Sequence, residues 1–484
     1  MADGYGRASG RPGVCFVISG PGITNATTPL GQAYADSIPL LMISASPPTY
    51  TQGKGWGVLH EIIDQDAVTR PLTAITATIA TPDEFPVLLG EAFSIFGSQR
   101  PRPVHISIPV DVADEFVEDE WEPVPIPPRP PPDVESVSRA AGLLLDADRP
   151  ALYLGGGAIG ADISITAIAE RLNATVVTSN AGKGIVPESH RLSIGGSIWR
   201  QPTQEHLVAA DVVLAIGTEI GETDSFTEKL PFTGALIRVD IDSSKIDDLY
   251  RADVGIVADA GATADALLDA LGPGQPTVGD GEMRATATKT AVRERLTPVE
   301  RQHVVALDAI RRAFPTDTIL MNDIAQLVYT GSAMFPVEMS RTWNYPAGFC
   351  VLGCGLPDAI GAKLAFPGRP VATLVGDGGF MFTPQELITA SELGLSIPIV
   401  VWSNGGLKQI TEDMKSQGIE PIGTSGVSPD FVMLAESMGA HGVRPRSVEE
   451  LEQTLESALN VDRPTVIELV EDSDWLTSPA TPLR

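Results

Sequence analysis

Cysteine is scarce in this chain. Its 484 residues include three, Cys15, Cys350 and Cys354. That is too few for a disulfide framework or a four-thiolate metal site, so a reducing cytoplasm is the expected setting. The C-x3-C spacing of the last two lies in an apolar, Gly-rich segment and predicts small core thiols. Basic residues are also few. Against 62 Asp and Glu there are 33 Lys and Arg, a net charge of −29. Nucleic acid is therefore not an expected partner, because phosphate binding needs concentrated positive charge. No apolar run approaches the roughly 20 residues of a membrane-crossing helix, so no membrane partner is expected either. The start, MADGYGRASG, is polar and lacks the apolar core of a signal peptide. The hydrophobic fraction, 43%, is ordinary for a globular chain. The length exceeds what one core supports, and two to four domains are expected.

What the sequence does have is concentrated at residues 370–410, PVATLVGDGGFMFTPQELITASELGLSIPIVVWSNGGLKQI. An apolar run over 371–375 predicts a strand ending at Gly376-Asp377-Gly378-Gly379. A helix signal follows, with Thr383 as cap, Pro384 at the first helical position and Glu386 completing a T-x-x-E capping box. A second apolar strand, 397–402, ends at Ser403-Asn404-Gly405-Gly406. Strand, helix, strand is the unit of a parallel sheet, and both polar ends then emerge at its carboxyl edge, where ligands bind. Asp377 and Asn404, 27 residues apart in sequence, can share one small volume. A carboxylate, an amide oxygen, backbone carbonyls and a phosphate suit Mg²⁺, a hard cation that prefers oxygen ligands. The glycines let backbone approach phosphate oxygens.

Elsewhere the reading is again α/β. In residues 1–115, strands are predicted over 14–18, 40–44 and 103–109, with a helix over 24–36. The first strand runs into Ser19-Gly20-Pro21-Gly22. Residues 116–134 form a Pro-rich linker, WEPVPIPPRPPPD at its centre. A second domain, 135–272, opens with a strand that enters Gly155-Gly156-Gly157-Ala158-Ile159-Gly160, formally G-x-G-x-x-G. A helix to Leu172 and a strand over 175–178 follow. No acidic residue ends that second strand, where a dinucleotide's ribose would want one; Ser179 and Asn180 stand there. Residues 273–300 read as a second linker, 301–471 as a third domain and 472–484 as a short, loose tail. The similar spacing of strands and helices in the first and third domains predicts two related units.

The GDG and Asn pair resembles the diphosphate-binding motif of thiamine-diphosphate enzymes. The segment SGPGITNATTPLGQAYADSIPLLMIS is similar to the pyrimidine-binding domain of the acetolactate synthase and 2-oxo-acid decarboxylase superfamily. With AQLVYTGSAMFPVEMSRTWNYPAGFCVLGCGLPDAIGAKLA and VWSNGGLKQITEDMKSQGIEPIG, the chain most resembles the 5-guanidino-2-oxopentanoate decarboxylase-like branch, with acetolactate synthase large subunits as neighbours. The resemblance covers nearly the whole chain. It implies three doubly wound parallel-sheet α/β domains: pyrimidine-binding, central Rossmann-like and diphosphate-binding. It implies thiamine diphosphate and Mg²⁺ as cofactors, with Asp377, Asn404 and the Gly406 carbonyl as metal ligands. Gln326, Gly376, Gly378, Gly379, Gly406 and Leu407 would line the diphosphate, and Pro21, Gly22 and Asn25 the aminopyrimidine. Leu352, before Gly353-Cys354-Gly355, takes the place of the apolar side chain that bends the cofactor, and His60 lies in a loop that faces the cavity. The central domain holds FAD in some members and is a spacer in others; the reading here is without a required flavin. The site would lie between subunits of a homodimer or homotetramer.

The implied reaction is decarboxylation of a 2-oxo acid, ending in an aldehyde or, by attack on a second 2-oxo acid, in an acetohydroxy acid. A guanidinium substrate needs an acidic partner, for which Glu61, Glu412 and Asp413 are candidates. One departure stands out. The superfamily's pyrimidine-contacting Glu belongs a few residues before the position of Met1, which predicts a truncated or misassigned start and apolar surface exposed along residues 14–18. Two alternatives remain: a nicotinamide oxidoreductase using Gly155 to Gly160, and a non-catalytic cofactor-binding subunit.

Overall fold

The computed structural model describes residues 1–117, 120–274, 277 and 279–477. The chain forms two compact units, Met1–Arg129 with Pro346–Val351, and Pro130–Tyr345 with Leu352–Arg484. They carry three sheets, all parallel.

The first unit holds β1 (Gly13–Val17), β2 (Leu40–Ser46), β3 (Ile75–Thr78) and β4 (Val104–Pro109) in the order β1-β2-β4-β3. β2 packs against helices on both faces, as a strand inside a parallel sheet does. Leu41, Ile43, Val104 and Ile106 pack with Ala92 and Phe96 of the helix Glu84–Ser98. Leu40 and Met42 face Ile23, Leu30 and Ala33 of the helix Pro21–Ala35. The β1 edge is bare: Val14, Phe16 and Ile18 are 48%, 76% and 55% exposed, as the sequence predicts.

The second unit holds two six-stranded sheets. One comprises β5 (Pro150–Leu154), β6 (Thr175–Thr178), β7 (Ser193–Gly195), β8 (Val212–Ile216), β9 (Ala235–Asp240) and β10 (Val254–Val257), ordered β10-β9-β8-β5-β6-β7. The other comprises β11 (Ile319–Asn322), β12 (Trp343–Asn344), β13 (Val371–Gly376), β14 (Pro398–Ser403), β15 (His441–Val443) and β16 (Thr465–Val470), ordered β12-β11-β13-β14-β16-β15. The last four of these, β13-β14-β16-β15, repeat the order β1-β2-β4-β3 strand for strand. That is the structural content of the similar spacing in the first and third domains.

Four local expectations are revised. The 273–300 segment is not wholly a linker: it carries the helix Gly281–Glu294, which buries Ala285, Thr288 and Val292. Its Thr and charged residues disguised that apolar stripe. The next helix, Pro298–Ala313, starts at a capping box of Thr297 and Glu300, with Pro298 at the first position, a device that contributes about 1 kcal/mol. The box expected at Thr383 does not form. The helix there is Glu386–Glu392, and the Thr383 hydroxyl donates to the Gly353 carbonyl at 2.7 Å. Of the tail, Asp472 exchanges hydrogen bonds with Gln302 and Leu476 is buried; residues 478–484 lie outside the described ones. The two C-x3-C thiols are not fully buried core groups: Cys350 is exposed and Cys354 half-buried.

Candidate active site

The centre of the site is set by register. β13 and β14 are neighbours, with Gly376 opposite Trp402, so their tips, Asp377 and Asn404, arrive together at one carboxyl edge. The Asp377 carboxylate is buried. Its Oδ2 accepts the backbone N–H of Asn404 (3.2 Å), Gly405 (2.8 Å) and Gly406 (2.9 Å), and its Oδ1 accepts that of Gly378 (2.8 Å). One carboxylate thus moulds the 404–406 turn. That turn needs its glycines, since Gly405 and Gly406 sit at φ +89° and +119°, where side chains are strained. A Cβ on Gly378 would come within 2.9 Å of Leu407 and 3.3 Å of the Gly406 carbonyl oxygen. Leu407 is pinned from behind, its N–H donating to the Thr424 carbonyl at 2.8 Å.

Asn404 donates Nδ2 to Gln326 Oε1 at 2.9 Å, which turns its amide oxygen away from Gln326. Gln326 in turn donates Nε2 to Glu412 at 2.8 Å and to Gln409 at 3.1 Å. Asp413 joins only through Gln409. Glu412 and Asp413 are both exposed, on the helix Lys408–Ser416, which buries no residue.

Half-buried Leu352 lies in a turn that sequence reasoning left without a support. The support is Asp323, just past the tip of β11. Its Oδ2 accepts the N–H groups of Gly353 (2.9 Å) and Gly355 (3.1 Å), and its Oδ1 accepts that of Ile324 (2.7 Å). Burial nevertheless pushes this carboxyl up to about 6, the three N–H donors opposing. The signal was available: a carboxylate just past a buried strand, three residues before Gln326.

In the first unit, the helix Pro21–Ala35 begins at the Gly20-Pro21-Gly22 turn itself. Pro21 and Asn25 are exposed and Gly22 half-buried. His60 lies against this turn. A Cβ on Gly20, which sits at φ +60°, would fall 2.6 Å from the His60 carbonyl oxygen. Gln65, missed in the sequence, anchors the region, its Nε2 donating to the Ser44 hydroxyl and the Ala45 carbonyl. Glu61, expected as the substrate's acidic partner, has partners within its own loop. Its carboxylate accepts the N–H groups of Gly55, Gly57 and Val58 at 2.9, 2.8 and 3.1 Å. Desolvation opposes its ionisation, and these donors outweigh it and hold the carboxyl below its ordinary value. Glu61 therefore clamps its own loop.

The glycines of the central domain serve packing. Gly157 donates its N–H to the Gly217 carbonyl at 3.0 Å. A Cβ on Gly155 would lie 2.2 Å from that same oxygen. At Gly155 and Gly157 the close approach is to the chain's own backbone at Gly217, whereas Gly160 sits at φ +97° with open space around it.

A metal-bound diphosphate fits the edge at β13 and β14. Among the described residues no three of His, Cys, Asp and Glu form a metal-ligand cluster. A divalent ion there would combine Asp377 with amide, carbonyl and ligand oxygens, the set Mg²⁺ accepts when phosphates complete its shell. The cradle floor is the side-chain-free backbone of Gly378, Gly405 and Gly406.

Comparison with known proteins agrees with this geometry. Residues 1–68, 137–267 and 323–469 match the N-terminal TPP binding, central and C-terminal TPP binding domains of thiamine pyrophosphate enzymes. The chain is 44% identical over 97% of its length to the probable 2-ketoarginine decarboxylase AruI of Pseudomonas aeruginosa, covering 84% of that protein. It is 32% identical over 97% of its length to the probable acetolactate synthase large subunit of Methanocaldococcus jannaschii, covering 83% of it. To the Escherichia coli acetolactate synthase isozyme 1 large subunit it is 29% identical, covering 86% of that protein. No helix among the described residues is long and apolar enough to cross a membrane. The chain belongs to the thiamine pyrophosphate enzyme family, and is an enzyme whose cofactor is thiamine diphosphate with Mg²⁺ as partner ion.

Proposed function

We propose that this enzyme decarboxylates 5-guanidino-2-oxopentanoate (2-ketoarginine) to the corresponding guanidino aldehyde and CO₂. The observation that carries the reading is the convergence of Asp377 and Asn404 at one sheet edge, in a chain 44% identical to a probable 2-ketoarginine decarboxylase. Bound thiamine diphosphate supplies the electron sink for the pair left when CO₂ departs. The chain's own residues hold and orient. Asp377, the Asn404 amide oxygen and the Gly406 carbonyl take the metal. Gly376, Gly378, Gly379 and Leu407 let backbone reach the diphosphate, and Gln326 fixes Asn404. Pro21, Gly22 and Asn25 stand beside the pyrimidine, Leu352 sets the cofactor's bend, and His60 serves the reacting end.

For the guanidinium we choose Glu412, a carboxylate one hydrogen bond from Gln326. We further propose a cytoplasmic homodimer or homotetramer. Exposed Ile63, Ile422 and Val427 are surface of the kind that subunit contacts cover.

The test is CO₂ release from a panel of 2-oxo acids with thiamine diphosphate and Mg²⁺, with products identified. The guanidino acid should give the highest kcat/KM and a free aldehyde. Preference for pyruvate with an acetohydroxy acid product would overturn the proposal in favour of carboligation. Glu412→Gln should raise KM about tenfold or more for the cationic substrate alone, roughly the worth of a charge-assisted contact. An equal rise for neutral 2-oxo acids would remove Glu412 from that role.

A further inference from the structure

We propose that Asp323 is a positioning residue for the reaction: through the backbone it fixes the turn that carries Leu352, and Thr383 completes the clamp. This rests on the functional reading above and adds residues to it.

The geometry is one of three independent ties on a single turn. Asp323 is 1% exposed, and its two oxygens take three N–H groups, two of them from Gly353 and Gly355, on either side of Cys354. The Gly353 carbonyl accepts the Thr383 hydroxyl at 2.7 Å. Gly353 sits at φ +83°, where a Cβ would come within 2.5 Å of Phe382 Cβ. Gly353, the residue after Leu352, is therefore held at its N–H by Asp323, just past β11, and at its carbonyl by Thr383, in the segment following Gly376-Asp377-Gly378-Gly379. Asp323 also lies close to Gly379, where an added Cβ would fall 3.1 Å from Asp323 Oδ1. The turn bearing Leu352 is thus tied to β11 through Asp323 and to the segment after Asp377 through Thr383.

A helix cap alone explains part of this, because Gly355 opens the helix Gly355–Ala365 and a carboxylate is favoured there. It does not explain the bond to Gly353, which lies before the helix, nor the second tie from Thr383 to the same residue. Leu352 shares a peptide bond with Gly353, so fixing the Gly353 N–H and carbonyl fixes the plane through which the Leu352 side chain is carried. Leu352 thus inherits its place from this clamp.

The experiment is a double-mutant cycle on the full chain. Asp323→Asn keeps the shape but removes the charge, and Thr383→Val removes the second tie should Asp323→Asn fold poorly. Each is made in the parent and in a Leu352→Ala background. Two readouts are taken: calorimetric affinity for thiamine diphosphate with Mg²⁺, and the exchange rate of the bound cofactor's C2 hydrogen, followed by NMR. In the parent, either variant should slow exchange about tenfold or more, with cofactor affinity changed less than about threefold. In the Leu352→Ala background the same variants should cause no further slowing. Equal slowing in both backgrounds, or none in the parent, overturns the proposal. A parent that binds no thiamine diphosphate would instead sink the functional reading, and the two failures are distinct.

Discussion

Replacing Asp377 with Asn tests the centre of the site, because it keeps the volume and removes only charge and acceptor capacity. The Asp377 oxygens accept four backbone N–H groups, three of them on Oδ2. With Asn, the amide oxygen can face one set of donors, and the amide NH₂ then confronts the other. Hydrogen bonds to a charged acceptor exceed those to a neutral one by about 1 kcal/mol, and an unpaired buried donor costs about 1–3 kcal/mol more. With three donors on the retained oxygen and the Gly378 N–H orphaned, the 404–406 turn loses about 3 kcal/mol of support and Gly378 about 2 kcal/mol more. The metal would also lose its anionic ligand. Differential scanning calorimetry with and without Mg²⁺ and thiamine diphosphate separates the two effects. The parent at about 100 Kd of ligand should gain about 2.7 kcal/mol of stability. The variant should melt lower without ligand and gain almost nothing from it, a rise in Kd of about a hundredfold or more. A variant with the parent's ligand-induced shift would refute the reasoning, since Asp377 would then be holding the turn and nothing else.

Acid should unfold this protein through histidines. Burial holds His105, His206 and His303 at about 4, against an ordinary 6.5. The unfolded chain therefore binds more protons between those values, and stability present above pH 6.5 is lost as pH falls towards 4. At pH 5 each imidazole removes about 2 kcal/mol. Urea midpoints should fall between pH 7.5 and 5, and His303→Gln should shrink the fall for the unit that contains it; a midpoint insensitive to that substitution would contradict this. Gly406→Ala should weaken cofactor binding about tenfold or more, because φ +119° is strained for alanine and its Cβ would lie 2.8 Å from the Thr424 carbonyl oxygen. Isothermal titration with parent-like affinity would show that the turn tolerates a side chain.

Much of the fold was legible because its central strands are buried on both faces. Runs such as VATLV and PIVVW have no polar alternation to mislead the reader, and glycines mark where each ends. Legibility failed where a side chain chose a tertiary partner over a local one. Thr383 has the spacing of a cap, yet its hydroxyl goes to Gly353, 30 residues away. The three N–H groups that Glu61 accepts from its own loop likewise went unread, because they come from a turn only the fold makes. The helix at 281–294 was hidden because its apolar stripe consists of small and β-branched residues among charges.

The amino-acid order by itself determined the parallel α/β class, the chemistry gathered at Asp377 and Asn404, and the glycines that must follow them. These depend on local pattern and on residue type. Only the tertiary structure decided which strands are neighbours, and so which polar tips meet. It paired β11 with β13 and thereby brought Asp323 beneath the Leu352 turn. Sheet order is set by the packing of whole faces against one another, and no short stretch of sequence contains that information.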